Sequence, residues 1–146
     1  MPDLLIEFVS EEIDFTLQQP DDIATWLQSI ITDHHFKLEN LTYIFCSDDY
    51  LLEINQQYLD HDTLTDIITF NNADDTGVIE SDIFISIERV QENAEALGVT
   101  KTDELHRVMA HGLLHLLGYN DKSDQLREQM RAKEDYYLSL RNFNLL

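Results

Sequence analysis

The chain has few of the residues that cross-link a backbone or break its regular structure. Its 146 residues include one cysteine, two prolines and four glycines. A single cysteine excludes an internal disulfide, and Cys46 lies in the apolar run LTYIFC, where we expect a small buried side chain rather than a reactive thiol. Because the sequence also lacks repeats and low-complexity stretches, we expect residues 1–146 to form one domain without a linker.

Long apolar runs are missing as well. No run approaches the roughly 20 residues needed to cross a bilayer, so we expect no membrane partner. The first twelve residues contain acidic side chains where a signal peptide has a basic start and an apolar centre. These two observations predict a cytoplasmic protein.

Positive charge is scarce. Nine Lys and Arg residues stand against 29 Asp and Glu residues, and the net charge of −20 argues against nucleic acid, with no DNA partner expected. The second half of the chain nevertheless holds eight of the nine basic residues. The relevant cluster is Arg107, Lys122, Arg127, Arg131 and Lys133. We interpret it as a solvated helix face with ion pairs, although a small basic patch would also suffice for a phosphate contact.

The hydrophobic pattern predicts the element order β-α-β-α-β-β-α-α-α. Strands are predicted at residues 4–9, 41–46, 67–70 and 79–87, where apolar and β-branched residues dominate or alternate. Predicted helices begin at Asp21 or Asp22, Ser47 or Asp48, Glu88, Thr100 and Ser123. The order predicts an α+β fold, in which about five helices pack on a mixed four-stranded sheet.

The segment HGLLHLLGYND, residues 111–121, places two histidines four residues apart in a run of leucines. His111 and His115 share one face of a helix, so both imidazoles can reach one point. Gly118 is suited to end that helix, and the following turn can bring Asp121 to the same point. Two nitrogens and one carboxylate oxygen leave a fourth position open, as in a catalytic zinc site. We therefore predict a zincin-like metal site of His111, His115 and Asp121 on a central helix.

Burial strengthens this prediction. Residues 108–117 are apolar almost all round, which is typical of a central helix. Two buried imidazoles without a shared partner would each cost roughly 1–3 kcal/mol in lost solvation, and one metal ion satisfies both. Geometry favours Zn²⁺, while Fe²⁺ and Ni²⁺ also accept these donors.

Gly112 follows the first of the two histidines. A glycine inside a helix costs about 1 kcal/mol relative to alanine, so we expect another backbone to pass close to it. In the H-E-x-x-H metalloproteases this position carries the glutamate that serves as general base. The chain lacks that base, and the residues identify no other catalytic group.

These residues resemble the YbeY endoribonucleases, also called rRNA maturation factors. HGLLHLLGYND follows the family signature H-G-x-L-H-L-x-G-Y-D-H from His111 to Tyr119. The segment NQQYLDHDTLTDIITF, residues 55–70, and SDIFIS with the following ERVQENA are similar to two further family segments. The resemblance covers about residues 40–135.

The resemblance implies a single metallo-endoribonuclease domain that cleaves single-stranded RNA. It further implies a role in maturing ribosomal RNA, at the 3' end of the 16S rRNA, and in ribosome quality control, with the small ribosomal subunit as a partner. It also implies one Zn²⁺ ion held by His111, His115 and Asp121.

Two positions depart from the family. The family's third metal ligand is usually His. With Asp121 in that position the site carries one more negative charge, so a water bound to the metal is expected to be less acidic. The family commonly has an arginine where this chain has Leu59. A phosphate contact would then have to come from another residue, with Lys122 and Arg107 as candidates.

Two other functions stay open from the residues alone. One is a metal-dependent hydrolase on another substrate, such as a protease, which the glycine at position 112 disfavours. The other is a metal-binding ribosome assembly factor without catalysis, which the net charge and Leu59 favour.

Overall fold

A computed structural model describes residues 5–59, the last of them by its backbone alone, and residues 65–143. In this part of the chain four strands and five helices follow one another in the predicted order. The strands are β1 (Ile6–Glu11), β2 (Lys37–Cys46), β3 (Ile67–Asn71) and β4 (Val78–Ser86). The helices are α1 (Pro20–Asp33), α2 (Asp48–Leu59), α3 (Ile87–Leu97), α4 (Lys101–Leu116) and α5 (Asp124–Ser139). The predicted α+β class is confirmed.

The strands form one mixed sheet in the order β1-β2-β4-β3. β1 and β4 are both parallel to β2, and β3 is antiparallel to β4. The sheet separates a large core, shared with α1 and α4, from a small cluster beneath α2. Successive residues of a strand face opposite sides, so Phe45 of β2 enters the large core and Cys46 the small one.

Helix α4 is the central helix that the apolar run predicts. Its residues Ala110, Leu113 and Leu114 are fully buried. The hydroxyl of Tyr43 on β2 donates a hydrogen bond to the carbonyl of Met109 over 2.9 Å, which ties α4 to the sheet. The histidine-bearing end of the helix therefore has a fixed position relative to the strands.

The ends of the elements before and after α4 follow from local chemistry. Gly98 closes α3 in the left-handed conformation with φ 69°. The side chain of Thr100 accepts a hydrogen bond from the Asp103 amide, and Ser123 accepts one from the Leu126 amide. Thr100 and Ser123 thus cap the two helices whose starts the sequence predicts at these residues.

Other predicted boundaries differ from the structure. β1 runs two residues beyond the predicted end, and β2 begins at Lys37 because its pairing with β4 continues past an irregularity at Leu38 and Asn40. Ile87 belongs to α3 rather than to β4, because the Ser86 hydroxyl caps the helix there.

The predicted start of α1 is also wrong. α1 begins at Pro20, after Gln19, without a side-chain cap from Asp21 or Asp22. Proline is favoured in the first turn because its fixed φ suits a helix and it has no amide proton to satisfy.

Two further sequence predictions concern Cys46 and the membrane. Cys46 is buried, and burial, with the charge of Asp48, raises the pKa of its thiol to about 12, so it stays an unreactive core residue. Among the described residues, no helix combines the length and the apolar character that crossing a membrane requires.

Candidate metal centre

The two histidines predicted as ligands lie one turn apart near the end of α4. Their Nε2 atoms face each other across 3.1 Å. About a quarter of the His111 side chain and slightly more of that of His115 are exposed. The pair is therefore anchored in the core on one side and open to solvent on the other.

The turn after α4 brings Asp121 back to this pair. Gly118, with φ 113°, donates from its amide to the His115 carbonyl, and the Tyr119 amide donates to the Leu114 carbonyl. These two bonds form the glycine-dependent motif that commonly ends helices. As a result, Asp121 Oδ2 lies 3.8 Å from the Nε2 atoms of both histidines.

Contacts beyond the turn hold it in place. Arg127 of α5 donates to the backbone carbonyl of Asp121 over 3.2 Å. The Tyr119 hydroxyl lies 3.0 Å from Nε2 of His34, at the end of α1. The turn is thus tied to two helices besides α4, which limits the positions that the Asp121 carboxylate can reach.

These three side chains fit a zinc ion. Two nitrogens about 2.0 Å from one tetrahedral ion stand roughly 3.3 Å apart, close to the 3.1 Å between the two imidazoles. The Asp121 oxygen, 3.8 Å from each imidazole, has to move by only a few tenths of an ångström to reach the same ligand–ligand separation. Exposed side chains move by such amounts readily. Among the described residues, His111, His115 and Asp121 form the group of three possible metal ligands, with their ligand atoms all within 4.8 Å of one another.

Glu134 is a residue of the centre that sequence reasoning missed. Its Oε2 atom accepts a hydrogen bond from Nδ1 of His111 over 2.6 Å, and its Oε1 atom accepts one from Arg107 over 2.9 Å. Glu134 is 5% exposed and lies on the buried stripe of α5, between Met130 and Tyr137. A glutamate at a core position of an amphipathic helix was the signal available in the sequence.

The charges around the centre act differently on the two imidazoles. Burial alone would lower the pKa of His111, but the hydrogen bond and charge of Glu134 outweigh it and raise that pKa. Burial and the charge of His111 lower the pKa of His115. Burial also raises the pKa of Asp66, which precedes β3, and of Glu104 on α4. The negative charges of Glu134, Asp121 and Asp66 thus act on His111 in the direction that favours a positive charge there.

The packing at Gly112 differs from the prediction. A Cβ atom at residue 112 would lie 2.6 Å from Cδ1 of Ile67 on β3 and 3.3 Å from Ile83 on β4. The close neighbours are thus side chains, and the expectation of another backbone is wrong. Large isoleucines on two adjacent strands fill the space that the missing side chain leaves.

The basic residues near the centre are mostly engaged. Arg107 pairs with Glu134 and with Asp135, the latter over 2.6 Å. Arg127 pairs with Asp124, three residues away. Lys122 is exposed, and within the described residues no ion pair holds it. Of the two candidates for a phosphate contact, Lys122 is therefore the free one.

Part of the predicted surroundings lies outside the described residues. This applies to residues 60–64, which belong to the family-like segment 55–70, and to the side chain of Leu59.

Known proteins resemble this chain over nearly its whole length. The sequence model of the family described as Endoribonuclease YbeY matches residues 6–142. The Endoribonuclease YbeY of Cytophaga hutchinsonii is 53% identical over 143 residues, which cover 98% of this chain and 100% of that protein. The protein of the same name from Amoebophilus asiaticus is 47% identical over 138 residues, 94% of each chain.

A solved structure is similar as well. The solution structure of TM1509 from Thermotoga maritima matches with a TM-score of 0.62 and 27% sequence identity. The match covers 92% of this chain and 87% of that one.

Proposed function

The chain belongs to the endoribonuclease YbeY family, and on this premise we propose that it is a metal-dependent endoribonuclease acting on single-stranded RNA. The observation that carries the proposal is the convergence of His111, His115 and Asp121 at a surface open to solvent. We further propose that its substrate is ribosomal RNA, at the 3' end of the 16S rRNA, that it serves ribosome quality control, and that it meets this RNA on the small ribosomal subunit. Its location in the cytoplasm stays a prediction.

The metal ligands that we propose are His111, His115 and Asp121, and the ion is Zn²⁺. The donor set supports zinc, since it combines two imidazoles with one carboxylate and leaves one side open. When bound, such an ion acts as a Lewis acid on a phosphate oxygen and lowers the pKa of a coordinated water. Fe²⁺ and Ni²⁺ suit the same donors, so metal analysis of untagged protein decides between them.

Other residues of the protein hold the proposed metal ligands in place. The turn at Gly118 and the bond from Arg127 hold Asp121, and the core anchors α4. Lys122 follows Asp121 directly, has no ion-pair partner in the described part of the chain, and can contact a phosphate of the substrate. We also propose that residues 1–146 act as a single domain, which the family match over residues 6–142 supports.

The two alternative functions are not favoured. A protease of the H-E-x-x-H type needs a glutamate at position 112, where this chain has a glycine and the tip of the Ile67 side chain occupies the adjacent space. A non-catalytic assembly factor does not agree with relatives that are named endoribonucleases and match 98% and 94% of the chain.

The direct test is to incubate zinc-loaded protein with end-labelled single-stranded RNA and, separately, with casein. We expect internal cleavage of the RNA and intact casein. Asp121→Asn should abolish cleavage, whereas Asp75→Asn, an exposed acidic residue between β3 and β4, is the matched control that should retain it. Peptide products with intact RNA, or full RNA cleavage by metal-free Asp121→Asn protein, would refute the proposal.

A further inference from the structure

We propose that Glu134 is a positioning residue of the metal centre, which fixes the ring of His111 and is itself held by Arg107; the inference rests on the proposed function. Three side chains from two helices form this chain of contacts, here called the Glu134 bridge: His111, Glu134 and Arg107. His111 and Arg107 lie four residues apart on α4, and Glu134 faces both from α5.

Each oxygen of the Glu134 carboxylate has its own partner. Oε2 lies 2.6 Å from Nδ1 of His111, and Oε1 lies 2.9 Å from Nη1 of Arg107. Only 7% of the Glu134 side chain is exposed, so solvent has little access to the carboxylate. A carboxylate this deeply buried is costly unless it is paired, and the two contacts offset that cost.

The contact with Glu134 determines which ring nitrogen of His111 carries the proton and which one is left to bind a metal ion. A carboxylate accepts hydrogen bonds, so Nδ1 of His111 carries the proton. A neutral imidazole then has its lone pair on Nε2, the atom that faces His115 and Asp121. The bridge thus selects the tautomer and the ring orientation that a metal ion requires.

The packing of α4 against α5 does not rest on Glu134 alone. Arg107 also pairs with Asp135 over 2.6 Å, so α4 and α5 already share an ion pair at their surface. Arg107 uses one oxygen of Glu134, and the shorter of the two contacts of Glu134 is the one to the imidazole. Glu134 therefore contacts a proposed metal ligand as well as the arginine that joins the two helices, and a positioning role requires this contact with the ligand.

The first experiment measures metal affinity by competition with a chromogenic chelator, using Zn²⁺ and wild-type protein, Glu134→Ala and Glu134→Gln. Loss of such an outer partner typically weakens metal binding 10–100-fold, and we expect this for Glu134→Ala. Glu134→Gln keeps an oxygen that can accept from Nδ1, so we expect it to recover most of the affinity.

Two control variants accompany these proteins. Glu128→Gln changes an exposed glutamate on the same helix and should bind like the wild type. Asp135→Asn removes the surface ion pair with Arg107 and should lower the melting temperature of the metal-free protein without changing its affinity for Zn²⁺. If Glu134→Ala behaves like Asp135→Asn, with lower stability and unchanged affinity, the bridge is structural and the inference is wrong.

A second readout needs no metal and no substituted protein. NMR spectra of the imidazole nitrogens in the metal-free wild-type protein at pH 9 identify the protonated atom. We expect the Nδ1–H form for His111, and the Nε2–H form would overturn the inference even if Glu134→Ala failed to fold. A wild type that binds no Zn²⁺ but shows the Nδ1–H form would instead count against the proposed metal centre alone.

Discussion

Gly112 on α4 and Ile67 on β3 are so close that a Cβ atom on residue 112 would lie 2.6 Å from Cδ1 of Ile67. Next to the candidate ligand His111, the backbone of α4 thus contacts the Ile67 side chain of β3, the edge strand of the sheet. The tip of the Ile67 side chain can lie this close to the helix because residue 112 has no side chain of its own.

This contact predicts the effect of Gly112→Ala. The added methyl group crowds the core, which typically costs about 1–3 kcal/mol, whereas the better helix propensity of alanine returns about 1 kcal/mol. Ile67→Val removes the crowded Cδ1 atom. The free energy of unfolding of the Gly112→Ala/Ile67→Val double variant should therefore be higher than the sum of the two single changes predicts. Urea unfolding of the four proteins measures this coupling, and strictly additive values would contradict the packing described.

A second prediction concerns stabilisation by the metal. A ligand that binds only the folded protein at 100 times its Kd adds about 2.7 kcal/mol to the free energy of unfolding. We expect Zn²⁺ to raise the melting temperature of the wild type and of Asp75→Asn. His115→Ala removes one of three donors, and its melting temperature should stay unchanged by Zn²⁺. A full shift in His115→Ala would place the metal elsewhere.

The third prediction concerns His106, a buried histidine outside the metal centre. Burial, helped by the charge of Arg141 and opposed by Asp103, lowers its pKa to about 4. Arg141 donates to Nδ1 over 2.8 Å, and the rings of Trp26 and Phe143 face the imidazole from two other segments. The native state therefore holds His106 neutral, whereas the unfolded chain protonates it below about pH 6.5.

Because the unfolded state binds this proton first, the protein should lose stability as the pH falls from about 6.5 to 4. The loss from this one group is on the order of 3 kcal/mol. His106→Gln keeps an acceptor for Arg141 and does not titrate. Urea unfolding of the metal-free proteins across this range should show a steeper decline for the wild type, and parallel declines would exclude His106 as the source.

The fourth prediction concerns Lys122 and the binding of RNA. A lysine that neutralises one phosphate of single-stranded RNA adds about 0.7 to the slope of log affinity against log salt concentration. Lys122→Ala should weaken RNA binding and reduce the slope by about that amount. Lys37→Ala, which removes a lysine paired with Glu39 at the start of β2, should change neither. An unchanged slope for Lys122→Ala would rule out a phosphate contact by this residue.

The two ends of the histidine helix show why local prediction succeeded where it did. The cap at Thr100 and the glycine turn at Gly118 depend on residues within a few positions of each other. Their spacing is visible in the sequence, and so is the helical spacing of His111 and His115. Strand ends were less predictable, because Lys37 of β2 pairs with Val78 of β4, a residue 41 positions away in the sequence.

The sequence by itself determined the order of the elements, the α+β class and the three side chains able to meet a metal ion, because periodicity, caps and i,i+4 spacing are local properties of the chain. Only the tertiary structure decided that Glu134 contacts His111, that Arg107 is paired while Lys122 has no ion-pair partner among the described residues, and that isoleucine side chains fill the space beside Gly112. Those relationships depend on how α5 and β3 pack against α4. Such packing brings together residues that are far apart in the sequence, and their spacing there does not predict the contact.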